Sequence, residues 1–571
     1  MRNKEVAEVF RQIAEILEIQ GENPFRIRAY LKAAQNIESL SRDIADLAEK
    51  DELEEIPGVG EDLAGKIKEL LKSGKLKFYE QLKKRIPKGL TVLMSVPGLG
   101  PKTAKLLYDE LKIKSIKGLE QAVRRHKIST LPGIKQKTEE NILRGIALIK
   151  KSKQRMPLAL AISAADEFVQ PLKKLKEAKE VQPAGSLRRK KETVRDIDIL
   201  VTSSKPQKIM DVFTALPQVK EVLAKGRTKS SILTTGGIQV DVRVVPQKSF
   251  GAALLYFTGS KQHNIKLRKL ALKKGLKINE YGVFRKNKWL TGKTEEQIYK
   301  KFKLIFINPE LREDTGEIEA ALKGKLPKIL EPENIKGDLH LHSQWSDGAA
   351  SIEDIAKAAR LRGYKYIAIT DHSQSLKVAG GLSVEQLEKQ INLIRKLNER
   401  FKGFRILAGA EVEIKSDGSL DYPDKILKNL DIVIAAVHTG FKQSRQQLTL
   451  RITRAMENSY INIIAHPSGR LIGQREPYAL DMEAVLKKAV QTKTLMEISA
   501  FPSRLDLIDV NCRRARELGV KMVISTDGHT PEHLEYMHLG VSVARRGWLE
   551  KKDVVNTLSL EKLLKALKQK R

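Results

Sequence analysis

The chain holds one cysteine, Cys512, in 571 residues. That excludes an intramolecular disulfide and any thiolate metal cluster. It has no run of about 18 apolar residues and no signal-peptide pattern, so the expectation is a soluble, cytoplasmic protein. No lipidation motif or amphipathic anchor stands out, which argues against a membrane surface as partner. No long low-complexity segment interrupts the chain. Acidic residues are the minority: 70 Asp+Glu against 105 Lys+Arg, a net charge of +35. Such an excess points to a polyanionic partner. The deficit is uneven. Residues 331–571 carry 38 basic and 30 acidic side chains, whereas residues 1–330 carry 67 and 40. A nucleic-acid surface is therefore expected mostly in the first part. A chain of this length should hold several domains rather than one core.

The stretch GSLRRKKETVRDIDIL, from Gly185 to Leu200, reads as a turn, a basic segment and a strand. Asp196 and Asp198 are two apart, so both carboxylates face one side of that strand. Val194, Ile197 and Ile199 give it strand character. A second strand from Ile238 carries Asp241. Three carboxylates converging from neighbouring strands would cage hard divalent cations such as Mg²⁺ or Mn²⁺. Two such ions can activate a 3′-hydroxyl and stabilise a leaving pyrophosphate. Gly185 and Ser186 suit a turn that holds a phosphate.

These residues resemble the nucleotidyltransferase palm of the family X DNA polymerases, the DNA polymerase beta type. The resemblance continues into the segment that begins Tyr256-Phe-Thr-Gly-Ser. It implies nucleotide contacts at Gly185, Ser186, Arg189, Tyr256, Phe257, Gly259, Asn264 and Arg268. Tyr256, Phe257 and Gly259 would lie beside the sugar of the incoming nucleotide, with minor-groove contacts at Asn264 and Arg268. Two positions depart from the family pattern: Arg195 where a small residue is common, and Gln239 where an arginine is common. Neither is a metal ligand.

Residues 1–85 read as helices, with Val6, Phe10, Ile13 and Leu17 at helical spacing. Ile56-Pro-Gly-Val-Gly opens a further helical run, and Val96-Pro-Gly-Leu-Gly repeats the pattern. These are helix-hairpin-helix signatures. Their glycines allow a tight turn, and the next helix starts with amides aimed at a DNA phosphate. Gly58, Gly60, Gly98, Gly100 and Lys102 are the expected backbone-phosphate contacts, without base readout. A third version, Leu131-Pro-Gly-Ile-Lys, has Lys135 in place of the last glycine. Lys66 follows the first hairpin. The resemblance to the polymerase beta N-terminal domain makes it a candidate Schiff-base lysine, against a plain solvated phosphate contact.

From about Gly337 the sequence alternates apolar strands with helical runs, the pattern of a βα barrel. Polar motifs follow the strands, where such barrels place their chemistry. His340, His342, His372, His438, His466 and His529 lie in these motifs, with Asp347, Glu411 and Asp527 among them. Imidazoles with carboxylates and no thiols suit Zn²⁺, Mn²⁺ or iron. His533 and His538 read as ordinary histidines. The pattern resembles the polymerase and histidinol phosphatase (PHP) domain, a distorted βα barrel with a multinuclear metal cluster for phosphoester hydrolysis. The resemblance makes these nine residues the ligand set, and Arg470 and Arg475 candidate phosphate contacts.

The expected organisation is a lyase-like helical domain over 1–85 and helix-hairpin-helix fingers over 86–150. An α+β palm over 151–248 and a thumb over 249–325 follow. A linker over 326–336 then leads to a PHP domain over 337–571. The whole resembles a bacterial or archaeal family X polymerase with a C-terminal PHP domain. That implies a monomeric repair enzyme using dNTPs on gapped or primed DNA, with 3′→5′ exonuclease, abasic-site endonuclease or 3′-phosphatase activity. Two other classes fit parts of the sequence. A small-molecule phosphatase would leave the Asp triad and paired hairpins without a purpose. A non-catalytic DNA-end scaffold would leave the metal ligands without one.

Overall fold

The computed structural model describes residues 2–20, 22–38, 40, 43–85, 93, 99, 101–128, 131, 139, 142, 155–568 and 570. The chain divides into two compact units. One is Met1–Arg155 with the stretch Leu233–Gln239; the other is Met156–Ile232 with Val240–Arg571.

In the first unit, helix Arg2–Ile19 buries Val6, Phe10, Ile13 and Leu17 on one face. Helix Pro24–Glu38 packs against it. Pro24 opens that helix, where its missing amide is no loss. Phe10 meets Tyr30 edge to face at 5.4 Å. The same apolar cluster runs on through Ile67, Leu107, Leu119 and Val123. Helices expected to form two domains, over 1–85 and 86–150, thus share one core.

The second unit begins with a five-stranded sheet. Its order is Ala178–Pro183, Asp196–Ser203, Gln239–Val245, Lys229–Thr234, Val219–Lys225. Val240, Val242 and Val244 are buried, while Gln239, Asp241 and Arg243 are only half-buried. That alternation puts the carboxylates on the face opposite the core. Helices Leu158–Lys173 and Pro206–Thr214 lie close together, with Phe168 against Phe213 at 5.7 Å. Two further helices, Phe250–Thr258 and Lys261–Lys273, precede a small antiparallel sheet.

Seven parallel strands then follow one another in chain order, from Gly337–Leu341 to Met522–Ser525. A bridge from Leu341 to Gly528 brings the first strand to the end of the last, nearly closing a barrel. Strand Ile432–Ala436 is buried throughout, as strands covered on both faces must be.

Residues 326–336, expected as a linker, are strapped down. The Leu330 amide donates to the Leu549 carbonyl at 2.9 Å, and Ile329 bridges to Glu550. Trp548 inserts into the apolar core around Tyr299, Phe302 and Leu311. Among the described residues, no helix is long and apolar enough to cross a membrane.

Candidate active sites

Asp196 and Asp198 open the strand Asp196–Ser203, and Asp241 lies on the neighbouring strand Gln239–Val245. Burial pushes Asp198 up to about 7, helped by the like charges of Asp196 and Asp241. The three carboxylates therefore share one field, and a divalent cation between them would relieve their repulsion. The turn before them is built for close approach. The Ala184 amide donates to the Asp198 carbonyl at 2.8 Å. Gly185 has φ +60°, and a Cβ there would stand 2.5 Å from Asp198 Oδ2. Only glycine satisfies both conditions. Arg195 contacts its neighbour Asp196 at 3.5 Å from a largely exposed position.

Tyr256 and Phe257 end helix Phe250–Thr258, and Gly259 follows with φ +71°. Asn264 Nδ2 donates to the Tyr256 carbonyl at 2.7 Å. The Arg268 guanidinium lies 5.6 Å from the Tyr256 ring, and that of Arg243 lies 4.5 Å from the Phe257 ring. Tyr256, Asn264 and Arg268 line one pocket. Arg189, expected at the nucleotide, has protein partners instead. Its Nε donates to Glu313 at 3.0 Å and its Nη1 to the Thr258 carbonyl.

In the barrel, the nine expected ligands converge at the strand ends. Three groups each bring their donor atoms within 4.8 Å of one another: His342, Asp347, His372 and His529; His340, His342 and Asp527; His372, Glu411 and His438. His466 joins through Glu411 Oε1 at 2.9 Å. Buried His340 Nε2, both nitrogens of His342, His372 Nδ1, His466 Nδ1 and Glu411 Oε2 have no hydrogen-bond partner. Orphaned lone pairs at such density fit metal ions. Burial pushes His342 down to about 3, the neutral form a ligand needs. Burial also opposes charge on His372, but Glu411 and Asp347 carry it up to about 10. His466 and Asp527 adopt positive φ, backbone geometry that surrounding contacts must enforce.

Three residues that sequence reasoning missed support this cluster. Glu497 accepts from His340 Nδ1 at 2.7 Å and Glu413 from His438 Nδ1 at 2.8 Å. Each turns the ring's other nitrogen toward the metal position. Arg504 Nε lies 3.2 Å from Asp527 Oδ2. The two arginines proposed for phosphate are otherwise occupied. Arg470 donates to the Arg504 and Leu505 carbonyls and pairs with Glu192 at 2.8 Å. Arg475 donates to the Gly469 carbonyl and stacks over Phe441 at 4.3 Å. Arg504 is the arginine that meets a ligand.

In the first unit, Gly58 has φ +88° and Gly60 is the N-cap of helix Glu61–Ser73. Gly98, Gly100 and the Leu131-Pro-Gly version beyond Leu131 lie outside the described residues; Lys102 lies in helix Pro101–Leu111. Lys66, read either as a Schiff-base lysine or as a solvated phosphate contact, packs beside two rings. Its side chain is 14% exposed, ion-paired to Asp62, and its Nζ lies 5.8 and 5.2 Å from the Tyr30 and Phe78 rings.

Comparison with known protein families matches four stretches of the chain. Residues 1–76 match a helix-hairpin-helix domain and residues 90–147 a SAM-like helix-hairpin-helix tandem. Residues 253–313 match the DNA polymerase beta thumb and residues 338–499 the PHP domain. The chain is 40% identical over 573 residues to the DNA polymerase/3'-5' exonuclease PolX of Bacillus subtilis (strain 168), covering 100% of both chains. It is 32% identical over 245 residues to a probable phosphatase of Thermoanaerobacter sp. (strain X514), spanning 41% of this chain and 95% of that one. A probable phosphatase of Syntrophotalea carbinolica is 34% identical over 218 residues, 37% of this chain and 83% of its own.

Proposed function

The chain belongs to the family X DNA polymerases with a C-terminal PHP domain, and from that premise we propose a gap-filling repair polymerase that also trims 3′ ends. One observation carries the reading. A single unit holds two separate ligand constellations, three carboxylates in the palm and nine residues in the barrel.

Asp196 and Asp198 would hold two Mg²⁺ or Mn²⁺ ions, and Asp241 would accept the proton of the primer 3′-hydroxyl. Gly185 and Ser186 would meet the triphosphate, and Tyr256, Phe257 and Gly259 the sugar of the dNTP. Zn²⁺ or Mn²⁺ held by the barrel ligands would supply Lewis acidity and a bound water of lowered pKa. Arg470 and Arg475, with Arg504 beside Asp527, would guide the phosphodiester there. The 3′→5′ exonuclease activity is in the printed name of the Bacillus subtilis relative. Abasic-site cleavage and 3′-phosphatase activity are chemically close, since each is hydrolysis of one phosphoester at a DNA end or lesion. The phosphatases similar to the barrel favour including the monoester reaction. The first unit would hold gapped or primed DNA by its phosphates, and the enzyme would act as a monomer. Lys66, beside the Tyr30 and Phe78 rings, would attack a 5′-deoxyribose phosphate. Borohydride trapping should give an adduct that Lys66→Ala largely loses; an undiminished adduct would reduce Lys66 to a phosphate contact.

The decisive experiment uses labelled one-nucleotide-gapped DNA with Mn²⁺. With dNTPs the primer should extend to the gap's end, and without them its 3′ end should shorten. A protein that does neither is not the proposed enzyme.

A further inference from the structure

One buried ion network ties the palm and thumb to the barrel. Arg546 ends the barrel helix Met537–Arg546 and is 8% exposed. Its Nη1 donates to the Arg189 carbonyl at 2.9 Å and to Glu313 Oε1 at 3.0 Å. Its Nη2 donates to Asp509 at 2.5 Å. Glu313 Oε1 accepts a second bond from Arg189 Nε at 3.0 Å. Burial opposes charge on Glu313, but Lys191, Arg189 and Arg546 hold it well below the usual carboxylate range.

The network ends on the turn that carries Gly259. Arg189 Nη1 donates to the Thr258 carbonyl, and a Cβ on Gly259 would stand 3.1 Å from that nitrogen. Arg188, the residue before Arg189, donates to Thr258 Oγ1 at 2.7 Å and to Glu295. On the far side, the Ser260 amide donates to the Arg312 carbonyl at 3.0 Å. The residues at both ends of Gly259 are thus held, and one of the holding groups reaches back to the barrel.

We propose that Arg546 is a positioning residue for the polymerase reaction: through Glu313 and Arg189 it sets the Thr258–Ser260 turn and the Tyr256–Phe257–Gly259 surface that meets the nucleotide sugar. This rests on the reading of that segment given under Proposed function. Removing Arg546 takes one cation from Glu313 and the clamp from the Arg189 backbone. A buried polar network left partly satisfied rearranges rather than staying in place. A shift of an ångström beside the reacting nucleotide is enough to slow transfer. A residue that merely fastened two domains would change stability and leave nucleotide selection alone.

The test uses the full chain with Arg546→Gln, Arg546→Lys and Glu313→Gln, after melting curves confirm folding. On gapped DNA, Arg546→Gln should raise the dNTP KM about tenfold and shift the dNTP-over-rNTP preference by a similar factor. Shortening of single-stranded DNA should stay within about twofold of wild type, and Arg546→Lys should recover part of the loss. A folded Arg546→Gln with wild-type KM and sugar preference overturns the proposal. Where Arg546→Gln does not fold, Glu313→Gln is read by the same two measures, because it removes the charge that joins Arg546 to Arg189. Unchanged values there overturn it equally. Failure of the wild type to extend would instead overturn the function on which the proposal rests.

Discussion

In the palm, three carboxylates face one another; in the barrel, three carboxylates stand among six histidines. The consequence is visible in their protonation. Burial and like charge push Asp198 up to about 7. Burial acts on Glu411 and Asp527 too, yet the surrounding histidines, with Arg504 beside Asp527, hold both well below the carboxylate range. The palm site carries surplus negative charge that only cations can offset. Such a site suits ions that come and go with a nucleotide triphosphate. The barrel site is balanced by its own residues, two of which, His340 and His438, are fixed by the further partners Glu497 and Glu413. Such a site suits resident metal.

The largest expected effect tests whether the two sites are chemically separate. Asp198→Ala should lower primer extension by about 10³-fold or more and leave 3′-end shortening intact. His342→Ala should do the reverse. Either substitution abolishing both reactions in a folded protein would collapse the two sites into one. A smaller effect probes the palm's tight geometry. Gly185→Ala forces a Cβ onto Asp198 at a positive φ. Extension should fall by about 10²-fold, with end shortening unchanged. Extension at the wild-type rate would mean that the turn moves freely and that Asp198 is not held by it.

The next effect is on the barrel side. Glu497→Gln keeps the shape of the partner of His340 but removes its charge. Metal affinity, measured by titration against a chelating dye, should fall about tenfold or more, and end shortening with it. Unaltered affinity would show that the histidine is oriented by the strand alone.

Much of this was legible in the sequence because side-chain direction in a strand has period two. His340 and His342 fall on one face for that reason, as do Asp196 and Asp198. Glu413 obeys the same rule, two residues after Glu411. Its role stayed hidden because its partner, His438, is close only in space. The protein contacts of the arginines were hidden for a related reason. Arg470 and Arg475 follow His466 in the chain, but the Arg470 guanidinium turns toward Arg504, Leu505 and Glu192. Arg504 reaches Asp527 from a loop that carries no motif. The prolines and polar residues of 326–336 read as an inter-domain linker, but they do not reveal that its backbone pairs with Leu549 and Glu550, more than 200 positions away.

The smallest effect extends the comparison to what holds each half together. The barrel rests on buried aliphatic strands, whereas the thumb adds an ion clamp to its apolar core. Glu295 accepts from Arg188 at 2.6 Å and from Arg312 at 2.5 Å. Burial alone would push Glu295 up, but the two guanidinium groups hold it at about 2. The ordinary glutamate value near 4.3 describes the unfolded chain. A folded value below the unfolded one means the unfolded state takes up protons first as pH falls. The stabilisation is therefore complete above the unfolded value and is lost progressively as pH drops toward 2. From pH 7 to pH 4 the loss from this one group is about 1 kcal/mol or less, and most of it comes only below pH 4. Many other carboxylates titrate in the same window, so the measurement must be a difference. Urea unfolding of wild type and Glu295→Gln at pH 7 and pH 4 isolates it. The variant should be the less stable protein at both pH values, since Arg312 loses its buried partner. Its margin below wild type should nevertheless narrow by up to about 1 kcal/mol on going to pH 4. A margin that stays constant or widens would show that Glu295 is not the acid-sensitive member of the clamp, and that the thumb and barrel are fastened by the same kind of force after all.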